Sequence, residues 1–267
     1  LRNMEIKAKI SRGSKMDQVY IPKNRSCFSV GSYVILKPIE IEKPVEKPFF
    51  YNIKEIEPIK LELIKQIMKI IDSCIENYEN IIITGSFLES SFNFNDIDIV
   101  IVTGSKISQD LIKKKIEGIT KISAHIIALD NNSLIKGLST DPLYQMMLSK
   151  CVAKKRIIYQ IKKEINYKLL DLHLLKSKTL MYNFDILNGN EKYYLVRNMI
   201  AIYLFLQHKK LNHDIVNKWI KELFGVDATK IKQNLLDKKA FLHRYNKIYE
   251  DTFNKIMDTI DNGSKQK

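Results

Sequence analysis

Cysteine is scarce in this 267-residue chain: Cys27, Cys74 and Cys151 lie far apart, with no Cys-x-x-Cys pair and no neighbouring histidine. That usage excludes a disulfide framework and a structural zinc site, and it suits a reducing compartment. The five histidines are scattered too. His208 and His213 are five apart without a cysteine pair, and each reads as a solvated or internally satisfied helix residue. No apolar run approaches the roughly 20 residues of a membrane span, and "LRNMEIKAKI" has no signal-peptide core. A soluble cytoplasmic protein with no membrane partner is expected. Acid is in deficit, with 30 Asp+Glu against 44 Lys+Arg and a net charge of +14. Residues 151–267 hold 23 of those cations and 12 of the acids, so most of the excess lies there. A basic C-terminal half points to a polyanionic partner, nucleic acid first, although lysine-rich helix faces are often merely solvated.

Proline is also rare, and three of its six residues (Pro44, Pro48, Pro58) crowd one stretch. Such density forbids a helix and suits a linker or an extended edge segment. The chain therefore divides into a small β-rich region (1–45), a Pro-rich linker (46–59), an α/β core (60–152) and a helical basic domain (153–267). The N-terminal strands are expected at "EIKAKI", "QVYIP" and "VGSYVILKPI". In the core, "LELIKQIMKIIDSCIENY" carries an apolar stripe through Leu61, Ile64, Ile67, Met68, Ile71, Cys74 and Ile75. Strands at "IIIT", "DIDIVIVT" and "KISAHIIAL" alternate with helical segments, which makes an α/β unit with a short mixed sheet. Beyond Asp141-Pro142 the periodicity is helical: 142–150, 156–182, 191–208, 212–223, 228–235 and 238 to about 260.

Inside the apolar run "DIDIVIV" sit two acids, Asp96 and Asp98. Two apart on a strand, they leave the same face, while Ile97, Ile99 and Ile101 face the core. Two carboxylates held side by side need a cation between them. Magnesium fits, with manganese as a substitute, because it takes one or two carboxylates and completes its shell with water and phosphate oxygens. Upstream, "IIIT" runs into Gly85-Ser86, where a tight turn, a hydroxyl and the amides of a following helix could hold a triphosphate. One element seizes phosphate and the other seizes the metal on it.

A strand, Gly-Ser, nine residues and then Asp-x-Asp on the next strand resembles the DNA polymerase β-like nucleotidyltransferase superfamily, its minimal and archaeal CCA-adding branches above all. The likeness covers about residues 60–155, and the helices after it match the substrate-binding domain that members often carry. It implies an α/β (α+β) nucleotidyltransferase core and transfer of a nucleotidyl group from an NTP to an acceptor hydroxyl, RNA being favoured by the basic helices. Gly85 and Ser86 would bind the nucleotide, Asp96 and Asp98 the metal. The resemblance also implies a third carboxylate on a neighbouring strand. His125 of "KISAHIIAL" stands in its place, either as general base or metal ligand, or as the mark of a lost activity. Asp130 and Glu89 are alternative carboxylates, Asp130 also reading as a helix N-cap. Arg197, inside an otherwise apolar helix, is either paired or reaches the nucleotide site.

The N-terminal "QVYIPKNRSCFSVGSYV" is similar to one arm of the swapped-hairpin, AbrB-like DNA-binding fold, through Gln18, Val19, Ile21, Pro22, Arg25, Gly31 and Val34, with Ser32 where that family has Asp. It implies a homodimer; a small appended hairpin accounts for the same residues. "CVAKKRIIYQIKKEINYK" interleaves cations with Tyr159 and Tyr167, and reads either as a nucleic-acid face or as a surface helix whose stripe is Ile157, Ile158, Ile161 and Ile165. From a different class comes a second function: a non-catalytic, antitoxin-like nucleic-acid-binding regulator built on a degenerate core.

Overall fold

The computed structural model describes residues 6, 8–21, 23, 29–36, 47–90, 92 and 94–264, the side chains of 259–264 excepted. The chain divides into two compact units, Leu1–Val45 and Glu46–Lys267.

In the first unit, strand β1 (Ile10–Ser11) pairs antiparallel with β2 (Gln18–Val19), Ile10 opposite Val19. The strand expected at "VGSYVILKPI" is absent from its described part, residues 30–36. Val30, Tyr33, Ile35 and Leu36 are all exposed there, so their apolar area stabilises no pairing. Pro22, Arg25 and Cys27 lie outside the described residues.

The second unit is mixed α/β followed by helices. Its sheet has the order β3-β7-β4-β5-β6, formed by β3 (Phe49–Tyr51), β4 (Asn80–Thr84), β5 (Asp96–Val102), β6 (Ser123–Leu129) and β7 (Cys151–Ala153). The β4–β5 pair is antiparallel and β5–β6 is parallel. Hence the proline-rich stretch is no plain linker, because β3 within it forms the sheet's terminal strand against β7. The strand β7 falls between the helical segments expected at 142–150 and 156–182.

Alternate residues of the strands bury on opposite faces. Ile81, Ile83, Ile97, Ile99 and Ile101 pack with Ile64, Ile67 and Ile71 of α1 (Pro58–Cys74) and Ile112 and Ile116 of α2 (Gln109–Thr120). Ile82, Val100 and Val102 pack on Leu134 and Leu138 of α3 (Asn131–Thr140). Asp96 and Asp98 share parity with Val100 and Val102, so they extend this second face toward the sheet's end.

After α4 (Pro142–Leu148) and β7, residues 154–166 run extended rather than helical. Burial alternates with period two: Ile157, Tyr159, Ile161, Lys163 and Ile165 turn inward, and Ile158 is 73% exposed. The Tyr159 hydroxyl bonds Asn131, and the Glu164 amide donates to the Ser139 carbonyl, which straps the segment over α3. A separate core then forms among α5 (Tyr167–Tyr182), α6 (Gly189–Leu206), α7 (His213–Phe224), α8 (Ala228–Lys232) and α9 (Lys238–Ser264). The starts of α5 to α8 are set by side-chain caps on Asn166, Asn188, Asn212 and Asp227, Asn188 forming a capping box with Glu191. Gly225, left-handed at φ +70°, ends α7. No helix among the described residues is long and apolar enough to cross a membrane.

Candidate active site

The buried strand β4 delivers the chain to Gly85, whose φ of +86° and ψ of −167° belong to a region essentially restricted to glycine. Space forbids a side chain as well: a Cβ on Gly85 would sit 2.1 Å from Asp98 Oδ2. The register explains the closeness, since Thr84 lies directly opposite Asp98 in the β4–β5 pair. The Thr84 hydroxyl donates to the carbonyls of Met147 and Lys150, which ties the strand end to the α4–β7 connection.

The element after Gly85 differs from the expected helix. It is a single 3-10 turn, Ser86–Leu88, anchored by the buried Phe87 and Leu88 and leaving Ser86 exposed. Its Leu88 and Glu89 amides are spent inside the turn, on the carbonyls of Gly85 and Ser86. The loop toward β5 is held by Lys60 of α1, which is fully buried. Its ammonium donates to the Glu89 carbonyl at 2.5 Å, pairs with Glu57 at 3.2 Å, and lies over the rings of Phe87, Phe92 and Phe94. A buried lysine in that setting is a fastener for the turn. Nothing in the sequence singled it out.

Asp98 carries the electrostatics of the site. Burial pushes its carboxyl above the usual carboxylate range, and the like charge of Asp96 adds to the push; the hydrogen bond from His125 and the charges of His125 and Arg197 oppose it. His125 stands beside Asp98 in the parallel register of β5 and β6, and Asp98 Oδ1 accepts from its Nδ1 at 3.2 Å. The imidazole is 62% exposed, so its other nitrogen meets solvent. His125 is thus in contact with the second acid of the pair.

The alternative carboxylates do not join it. Asp130 caps α3, accepting from the Ser133 amide at 2.7 Å, and this hydrogen bond lowers its pKa. It follows Leu129, which pairs with Val102 at the far end of β5 from Asp98. Glu89 pairs with Lys150 at 3.2 Å.

One residue of the helical region reaches the site's field, and a second lies beside it. Arg197 of α6 is largely buried; burial lowers its pKa, and the phenols of Tyr193 and Tyr194 and the Asp98 carboxylate draw it the other way. It stacks on Tyr194 at 4.9 Å and gives one hydrogen bond to Asn198, while its Nε is the one buried side-chain nitrogen or oxygen without a partner among the described residues. Arg197 is thus partly paired, and its charge is also felt at Asp98. His213, the first residue of α7, is partly buried rather than solvated. Burial, then the Arg197 charge, depress its pKa to about 4, so it is neutral at pH 7. The lone arginine in an apolar helix was a visible signal; His213 gave none.

Among the described residues no group of three or more His, Cys, Asp or Glu side chains is gathered as a metal site. A magnesium ion would have to be held by Asp96 and Asp98 with water and phosphate completing its shell. The donor set fits: two hard carboxylates on one face, one of them destabilised by the other. The chain matches no family model, no curated protein and no solved structure.

Proposed function

We propose that this face of the sheet transfers a nucleotidyl group from an NTP to an acceptor hydroxyl, with RNA as the acceptor. The observation that carries the reading is Asp98 wedged between the Gly85 turn and His125, with Asp96 beside it on the strand. Magnesium at the two aspartates would supply charge neutralisation on the phosphates. Ser86 is exposed at the turn, where its hydroxyl can donate to a phosphate oxygen. Arg197, with donor capacity to spare, pairs with the charge of the triphosphate. Asp98 orients the His125 ring through Nδ1, which leaves Nε2 to take the proton of the attacking hydroxyl. That oxygen bonds to the α-phosphorus as the bond to the bridging oxygen breaks and pyrophosphate leaves.

The test is transfer of label from α-labelled NTPs to bulk RNA with Mg²⁺ or Mn²⁺, run beside an Asp96→Ala/Asp98→Ala double variant. Each carboxylate is expected to matter on the order of 10²–10³-fold, and label transfer that survives the double substitution sinks the site. A regulator with a degenerate core is the second reading, favoured by His125 in the third acid's place. Absence of both label transfer and NTP binding would select it. A homodimer through the N-terminal unit is proposed on the same footing, its support being the exposed Val30, Tyr33, Ile35 and Leu36.

A further inference from the structure

We infer that a second site, for single-stranded nucleic acid, lies at the outer edge of the core sheet, in a recess between β3 and the residues leaving β7. Its walls are Lys47, Phe49, Lys154, Lys155 and Arg156, and it encloses about 320 Å³. The antiparallel register of Phe49 with Ala153 carries Lys47 alongside the triplet Lys154, Lys155 and Arg156. Four cations thus converge from two strands that are 100 residues apart in sequence, which an incidental lysine-rich helix face would not achieve.

Their charge is poorly compensated. Lys154 is paired with Asp72 at 2.5 Å and also touches the Tyr78 hydroxyl. Lys155 gives one hydrogen bond to the Tyr78 carbonyl. Among the described residues, Lys47 and Arg156 have no hydrogen-bond or ion-pair partner. Three positive charges therefore line one concave surface without a counter-ion among the described residues.

An aromatic component accompanies them: Phe49, 42% exposed, stands in the wall of the recess, while outside it the Tyr78 ring lies beneath the ammonium groups of Lys154 and Lys155 at 5.2 and 5.0 Å. Cations around an accessible ring match an unpaired base stacked on the ring with phosphates on the flanking charges. The recess is at the small end of ligand sites: it admits one splayed nucleotide, whereas a duplex keeps its bases stacked inside.

The location separates this site from the acid pair. Asp98 lies across from Thr84 at one end of β4, while Lys154 donates its amide to Ile81 near the other end. About 10 Å of strand lies between Ile81 and Thr84. A strand held in the recess is thus gripped away from the reacting end. Its service to transfer rests on the activity proposed above; the docking itself does not.

The experiment follows a short fluorescein-labelled single strand by anisotropy across a salt series, without NTP or divalent metal. The native chain is expected to bind with a steep salt dependence. Lys155→Gln/Arg156→Gln should weaken binding by tenfold or more and reduce the slope of log K against log salt by about 1.4 (two phosphate contacts at about 0.7 each). Phe49→Ala should weaken it about tenfold with the slope unchanged. Asp96→Ala/Asp98→Ala should bind like the native chain, which isolates docking from catalysis. Parallel RNA and DNA strands sort the sugar preference, and both fit the proposal. Native affinity and slope in Lys155→Gln/Arg156→Gln would overturn it. So would an equal loss in a Lys168→Gln/Lys176→Gln control on α5, or equal competition by a duplex.

Discussion

The tripeptide Thr-Gly-Ser occurs twice, at 84–86 and 103–105, each time after a buried strand, and the two turns differ in nearly every physical respect. At the first, the glycine has φ +86° and a carboxylate against its Cα; at the second, Gly104 has ordinary φ, and a Cβ there would meet nothing within 4 Å. The first threonine fastens its strand to the 147–150 segment. The second donates to the Asn77 carbonyl at 3.0 Å and accepts from the Ser105 amide at 3.1 Å, closing its own turn. The first turn meets the acidic end of β5, and the second is the exit from its apolar end. The sequence motif is a turn in both places, and the partner strand decides whether it faces carboxylates.

The sharpest way to break this comparison is to give both glycines a methyl. Gly85→Ala should abolish label transfer and lower Tm by roughly 2–10 °C, from about 1–3 kcal/mol of backbone strain plus the clash with Asp98. Gly104→Ala should change neither by more than the scatter of a calorimetric scan. Equal effects at the two positions would erase the distinction. Next in size is the coupling of the first glycine to its neighbour: in an Asp98→Ala background the Gly85→Ala penalty should shrink by about 1 kcal/mol, measured as a double-mutant cycle in denaturant.

The carboxylate predicts a titration at one turn only. Asp98 is raised by burial, so in the metal-free protein the folded state holds its proton to higher pH than the unfolded chain. Stability from this group is therefore present at low pH and lost as pH rises through the raised value. Asp98→Asn should melt above the native chain at pH 7, with the gap closing as pH falls below the ordinary carboxylate range. Magnesium should raise the native Tm and leave that of Asp96→Asn/Asp98→Asn unmoved. The smallest effect belongs to the second turn, where Thr103→Val should cost about 0.5–1.5 kcal/mol of stability for its lost hydrogen bonds without altering transfer.

Much of the site was legible because its signals are local. Parity along "DIDIVIV" set both aspartates on one face, and the strand order put His125 next to Asp98 once β6 paired parallel with β5. What failed was the reading of "RIIYQIKKEINYK". Ile157, Ile158, Ile161 and Ile165 satisfy a helical stripe, yet burial follows period two, because the strap packs a single face on α3 and the helical domain begins only at the Asn166 cap. The strands β3 and β7 are three residues each, too short to show a period. Lys60 and His213 were unreadable for another reason: their burial is created by contacts far along the chain.

Lys60 also makes the molecule its own reporter of motion. An amine-reactive reagent will modify the surface lysines within its first moments, but this ammonium is sealed beneath three phenylalanines and clasped to the Glu89 carbonyl. Its labelling rate therefore counts how often the loop between the first turn and β5 opens. Followed by peptide mass, that single slow lysine gives a clock for loop opening, and a nucleotide seated on Ser86 should slow it.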